Sequence, residues 1–185
     1  MILIGDSLTF GYGIDKSESW AYRLNKEYNI NLLNRAINGS TSTDMLSRFT
    51  VDVIYKNPNI IFIMAGTNDF LCNRSLNSVL DNIELMVKEG LATTKDIIIG
   101  IPPTIIKEMA YSKFSKTDTY NYTLKNLALL KDALINLCSK YSIKYLDFYT
   151  VTLNNLDKDI FLDGIHLNKK GNDLILKEFI KNLNL

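Results

Sequence analysis

Only two of the 185 residues are cysteine, three are proline and one is histidine. Cys72 and Cys138 lie far apart, join no CxxC or mixed Cys/His cluster, and are expected as reduced structural thiols. A lone histidine with scattered carboxylates makes no recognisable ligand set, so no metal is expected. Long apolar runs are missing as well. No segment approaches the roughly 20 residues of a membrane span, and stable membrane insertion is not expected. Charge of one sign is missing too: Lys and Arg total 21 against 20 acidic residues, a net charge of +1. No overall field would then draw in nucleic acid or an anionic membrane. The stretch Met1 to Ser7 lacks a basic region and turns polar after a short apolar run, unlike a signal peptide, so the expected location is cytoplasmic.

What is present is a globular composition, 46% hydrophobic and 22% charged, with no linker, charge block or repeat to divide it. One domain spanning 1–185 is expected. Short apolar, β-branched runs recur at Met1 to Gly5, Asn31 to Ala36, Asn59 to Gly66, Asp96 to Ile101 and Ile143 to Phe148. They read as five buried strands. Apolar residues spaced for helices fill Ser17 to Tyr28, Ser42 to Tyr55, Ser75 to Glu89, Thr119 to Tyr141 and Asn168 to Leu183. Strict alternation of the two implies right-handed crossovers, hence an α/β fold: a three-layer α/β/α sandwich on a five-stranded parallel sheet.

Open parallel sheets place their sites beyond the carboxyl ends of the strands. There the chain carries Gly5-Asp6-Ser7-Leu8-Thr9, Asn38-Gly39-Ser40, Gly66-Thr67-Asn68-Asp69 and Asp163-Gly164-Ile165-His166. A serine hydroxyl needs an adjacent base, and the base needs a third group to set its tautomer. His166 lies three residues after Asp163, a spacing at which the carboxylate can reach Nδ1 and leave Nε2 for Ser7. Ser7, Asp163 and His166 are therefore the candidate catalytic residues. Candidate oxyanion donors are the backbone N–H groups of Ser7 and Gly39 and the side-chain amide of Asn68. Asp6 and Asp69 are expected to support the loops holding Ser7 and Asn68.

Taken together, these four blocks resemble the GDSL/SGNH hydrolase family, whose Ser, Gly, Asn and His correspond here to Ser7, Gly39, Asn68 and His166. The resemblance runs from Gly5 to the last helix. It implies a flavodoxin-like strand order 2-1-3-4-5 and a serine hydrolase that cleaves an ester or thioester without a cofactor. Family members of this kind include carbohydrate acetylesterases, lysophospholipases and acyl thioesterases. The leading expectation is a serine esterase acting on a short acyl ester, such as an acetylated carbohydrate, with a small-molecule ester as its partner. A lysophospholipase or acyl thioesterase on longer chains is the alternative, and a catalytically degenerate carbohydrate or lipid binding module is the reading from another class.

Singly, each block has a plainer explanation: Gly-Asp-Ser as a strand-to-turn sequence, Asn-Gly as a tight turn, Gly-Thr-Asn-Asp as helix capping. Other enzyme folds fit less well. The nucleophile elbow Gly-x-Ser-x-Gly would need a glycine where Thr9 stands. Neither GxGxxG nor GxxxxGK[ST] occurs, and Gly11-Tyr12-Gly13 lacks the third glycine of a phosphate loop. The connection Pro102 to Asp118 is long, and its Ile105, Met109, Tyr111 and Phe114 suggest a lid or acyl-binding wall, or else a surface flap. Phe70 and Leu71, beside Asn68, are further candidates for pocket lining, with a place in the core the equal alternative.

Overall fold

The computed structural model of the protein describes residues 1–183; residues 184 and 185, the end of the expected 1–185 domain, lie outside the described residues. Five strands, β1 (Ile2–Ile4), β2 (Leu33–Asn34), β3 (Ile61–Ile63), β4 (Ile97–Ile101) and β5 (Lys144–Asp147), form one sheet in the order β2-β1-β3-β4-β5. Every pairing is parallel. The central strands are buried on both faces because each side chain of the apolar run meets a helical layer, whichever way the pleat points it.

The period of two sorts the core. Ile2, Ile4, Ile61, Ile63, Ile97 and Ile99 face one cluster with Met45, Phe49, Val79, Ile83, Met86, Leu130 and Leu134. These come from α3 (Ser42–Asp52), α5 (Leu76–Leu91) and α7 (Thr119–Tyr141). Leu3, Phe62, Ile98 and Leu146 face the other, with Trp20 and Leu24 of α2 (Trp20–Glu27) and Ile175, Leu176 and Phe179 of α9 (Lys169–Leu183). Trp20 centres that second face, its ring 5.4 Å from Phe179 and 5.6 Å from Phe62. Its indole N–H donates to Leu8 O at 3.0 Å, so the ring is buried without an orphaned donor. That bond also ties α2 to the short helix α1 (Ser7–Phe10), which follows β1.

Two expectations are corrected at the sheet edges. β2 is a two-residue strand with both residues exposed, Leu33 to 40%, and β5 exposes Lys144 and Tyr145. An edge strand has a neighbour on one side only, so apolar composition does not ensure burial there. Helix ends also tighten. Ser19 accepts from Tyr22 N as the N-cap of α2, breaking the expected helix at Ser17 to Tyr28 into a 3-10 turn (Lys16–Glu18) and α2. Three short helices stand where connections were expected: α4 (Thr67–Leu71), α6 (Lys107–Lys113) and α8 (Phe148–Leu153).

Candidate active site

The carboxyl ends of β1 and β3, with the loops after β2 and β5, converge on one rim. At the end of β1, Asp6 is the N-cap of α1 and accepts from Leu8 N at 2.9 Å, which places Ser7 as the first residue of the helix. At the other end of the chain, Phe161 and Leu167 form an antiparallel bridge, and Leu162 N donates to His166 O at 2.8 Å. The turn that this bridge closes holds Asp163 and His166. Asp163 Oδ1 accepts from Ile165 N at 2.9 Å and His166 N at 2.8 Å, so its carboxylate is locked to the turn's own backbone.

The other oxygen, Oδ2, lies 2.7 Å from His166 Nδ1, and His166 Nε2 lies 3.0 Å from Ser7 Oγ. Three side chains thus form one continuous hydrogen-bonded array across 159 residues of sequence. Burial works to raise the Asp163 pKa, but the bonds from the His166 ring and from the two backbone N–H groups outweigh it, and the carboxyl is held below its usual range. With Oδ2 charged and accepting, Nδ1 carries the proton and Nε2 is left as the acceptor for the Ser7 hydroxyl.

Gly164 makes this turn possible. Its φ of +91° belongs to the left-handed region, and a Cβ there would fall on Ile106 O and Ala110 N. Ile106 N donates to Gly164 O at 2.7 Å. The first turn of α6 is therefore packed directly against the backbone that carries Asp163 and His166. Of the readings open for the 102–118 connection, a surface flap does not hold for its packed first part, whereas residues 112–116 are exposed. Ile105 is buried, Met109 and Tyr111 pack against the two core clusters, and Phe114, 55% exposed, lines the cleft beside His166 together with Thr117.

The remaining blocks are brought to the same place. In the loop after β2, Ile37 N donates to Gly5 O at 3.1 Å and Ser40 N to Ile37 O at 3.2 Å. Gly39 turns through φ +78° with open space where a Cβ would stand. Asn68 Nδ2 donates to Ser40 O at 3.1 Å and to Asp6 Oδ2 at 3.3 Å, so both N–H bonds of its amide are engaged. Asp69 accepts from Ser42 N at 2.8 Å and Ser42 Oγ at 2.7 Å, fastening the start of α3 to α4. Burial raises the pKa of both carboxyls, that of Asp6 to about 6.

A cleft of about 380 Å³ opens beside the array, lined by Asn68, Leu71, Phe114, Tyr120, Ile165 and His166 among others. Leu71 takes the expected lining position. Phe70 does not: it is fully buried in the core, edge-on to Tyr122 at 6.4 Å. One neighbour of the array was missed. The Tyr12 ring lies 4.5 Å from the His166 ring at 44° and lines a small pocket with Ser7 and His166. The only signal for it was an aromatic between two glycines just after Ser7. No group of three or more His, Cys, Asp or Glu suited to a metal occurs among the described residues, nor is any helix among them long and apolar enough to cross a membrane.

A parallel α/β/α sandwich in the order 2-1-3-4-5, bearing an aspartate, histidine and serine in hydrogen-bonded series on its carboxyl rim, defines the class of protein. The model of the GDSL-like Lipase/Acylhydrolase family matches residues 3–174, and the chain belongs to that family. It is similar to the esterase TesA of Pseudomonas aeruginosa, 28% identical over 111 residues, which cover 56% of this chain and 55% of that one. The chain spans about half or less of the length of the curated relatives it matches. Among solved structures, a G-D-S-L family lipolytic protein from Veillonella parvula superposes with a TM-score of 0.84 at 22% identity, over 99% of this chain and 97% of that one. A catalytic mutant of an acetylxylan esterase from Geobacillus stearothermophilus does so with 0.82 at 17% identity, over 100% and 93%.

Proposed function

We propose that the protein is a serine esterase, a single catalytic domain in which Ser7, His166 and Asp163 act as a triad on a small-molecule carboxylic ester. The observation that carries this is the unbroken series from Asp163 Oδ2 through the His166 ring to Ser7 Oγ, at 2.7 and 3.0 Å. As Ser7 Oγ bonds to the acyl carbon, its proton passes to His166 Nε2 and the carbonyl π pair moves onto the oxygen. Collapse of that intermediate breaks the bond to the leaving alcohol, which takes the proton from Nε2. Water then attacks the acyl-enzyme, gives its proton to Nε2, and the carboxylic acid departs as Ser7 regains a proton. Asp163 stabilises the transient imidazolium throughout. No step calls on a metal or a cofactor.

The oxyanion is assigned to the backbone N–H groups of Ser7 and Gly39 and to Asn68 Nδ2, for which the longer of the Asn68 bonds, the 3.3 Å contact to Asp6, yields. Asp6 and Asp69 hold those loops in place. The test is hydrolysis of p-nitrophenyl acetate by wild type and Ser7→Ala. Turnover by the wild type and a loss of roughly 10⁶-fold in the variant, at an unchanged melting temperature, are expected. Failure of the wild type both to turn over and to label with a fluorophosphonate probe would favour a degenerate binding module.

A short acyl ester is the leading substrate, in line with the acetylxylan esterase neighbour. The apolar lining of the cleft by Leu71, Phe114 and Ile165 favours a second reading, a longer acyl ester or thioester. A p-nitrophenyl series from acetate to octanoate separates them: rates that fall with chain length support the first, and a maximum beyond butyrate that is lost in Phe114→Ala supports the second.

A further inference from the structure

A second cleft, of about 550 Å³, lies where the end of α1, the helix α2 and the edge strand β2 meet, and it shares no lining residue with the cleft beside His166. That volume is within the range of small-molecule sites, about 300–1,000 Å³. Its wall includes Phe10, Ile14, Ala21 and Leu32, and its two charged lining residues are both cationic, Lys16 and Lys26. Neither lysine is in an ion pair among the described residues, and Lys16 Nζ instead sits 5.6 Å from the Tyr22 ring. Of the acids near them in sequence, Glu18 pairs with Lys169 and Glu27 with Arg23, and neither these two nor Asp15 lines the cleft.

An apolar wall with two ammonium groups outside any ion pair is complementary to a molecule with an aliphatic body and one anionic head. Lysines are mobile point charges that suit a compact monoanion, and the lining holds no arginine fork of the kind that grips phosphate bidentately. We propose that this cleft is a second binding site, separate from Ser7, for an aliphatic carboxylate, with its chain against Phe10, Ile14 and Leu32 and its head between Lys16 and Lys26. The site does not depend on the hydrolytic reading, since its residues take no part in that chemistry.

Decanoate, the uncharged decanol and acetate serve as probes, with binding read by titration calorimetry and by the emission of Trp20, which lies between the lining residues Ser19 and Ala21. Decanoate is expected to bind, and decanol and acetate to bind at least several-fold more weakly. Lys16→Glu/Lys26→Glu, which alters exposed residues only, is expected to weaken decanoate by about tenfold or more. Phe114→Ala, in the other cleft, is expected to leave that affinity unchanged. Absence of decanoate binding, equal binding of decanol, or a loss seen in Phe114→Ala and not in the double-lysine variant would each overturn the proposal.

Discussion

Asp6 is 2% exposed and bonded to both Leu8 N and Asn68, so ionising it is costly while neutralising it would loosen the amide it orients. Burial raises its pKa to about 6 in the folded state. Between the ordinary carboxylate range and that value the folded chain holds a proton that the unfolded chain has released. Stability from this group is therefore greatest at low pH and falls as pH rises towards 6, by about 3 kcal/mol at 1.36 kcal/mol per unit. Asp6→Asn can still cap α1 but offers Asn68 a donor in place of an acceptor at one orientation. We expect urea midpoints at pH 4.5 and 7.5 to differ less in that variant than in wild type, with kcat on p-nitrophenyl acetate about tenfold lower at pH 7.5. Asp163 has the opposite sign: its lowered pKa contributes stability above the usual carboxylate range, lost as pH falls through its folded value. Tyr12, tilted against the His166 ring and 46% exposed, steadies that ring without hydrogen bonding to Ser7 Oγ. Tyr12→Ala is expected to lower kcat severalfold and to leave the melting temperature within about 2 °C.

At the scale of elements, β1, β3 and β4 were legible because helices cover both faces of each, which turns tertiary burial into an unbroken apolar run. β2 and β5 were legible in position but not in burial, since composition does not report which strand lies at an edge. The four rim blocks could be read because each follows a strand directly and Asp163 and His166 share one turn. The role of α6 could not. Its contact with Gly164 joins positions 106 and 164 through backbone atoms, and neither Ile106 nor Gly164 carries a local sign of the other. Gly164→Ala combines a left-handed φ with a collision against backbone that cannot move without shifting α6. We expect it to cost about 1–3 kcal/mol of stability and to lower kcat more than KM, as measured by urea titration and steady-state assay. Which of Phe70 and Leu71 enters the core stayed open for a related reason: α4 is a single short helix, and the core-facing Phe70 is the immediate neighbour of Leu71 at the cleft.

The molecule as a whole puts Ser7, the proposed nucleophile, on its first strand-to-helix turn and His166, the proposed base, on the turn before α9. Trp20 reports on the α2/α9 face alone, whereas far-UV circular dichroism reports on both faces. Coincident thermal transitions by the two signals are expected if the sheet couples the layers into one cooperative unit. The 3.0 Å contact between Ser7 and His166 has a kinetic consequence of its own. Asp163 and His166 are pinned to each other by a local bridge, but their meeting with Ser7 closes a loop of nearly the entire chain, among the most entropically demanding contacts in the fold. Enzymatic competence should therefore be the last property regained after dilution from denaturant. In an interrupted-refolding assay, recovery of esterase turnover that lags or matches the Trp20 signal would fit this, and turnover that returns ahead of it would not. A chain caught partway through synthesis or refolding would then be inert towards esters, however much of its sheet it had already built.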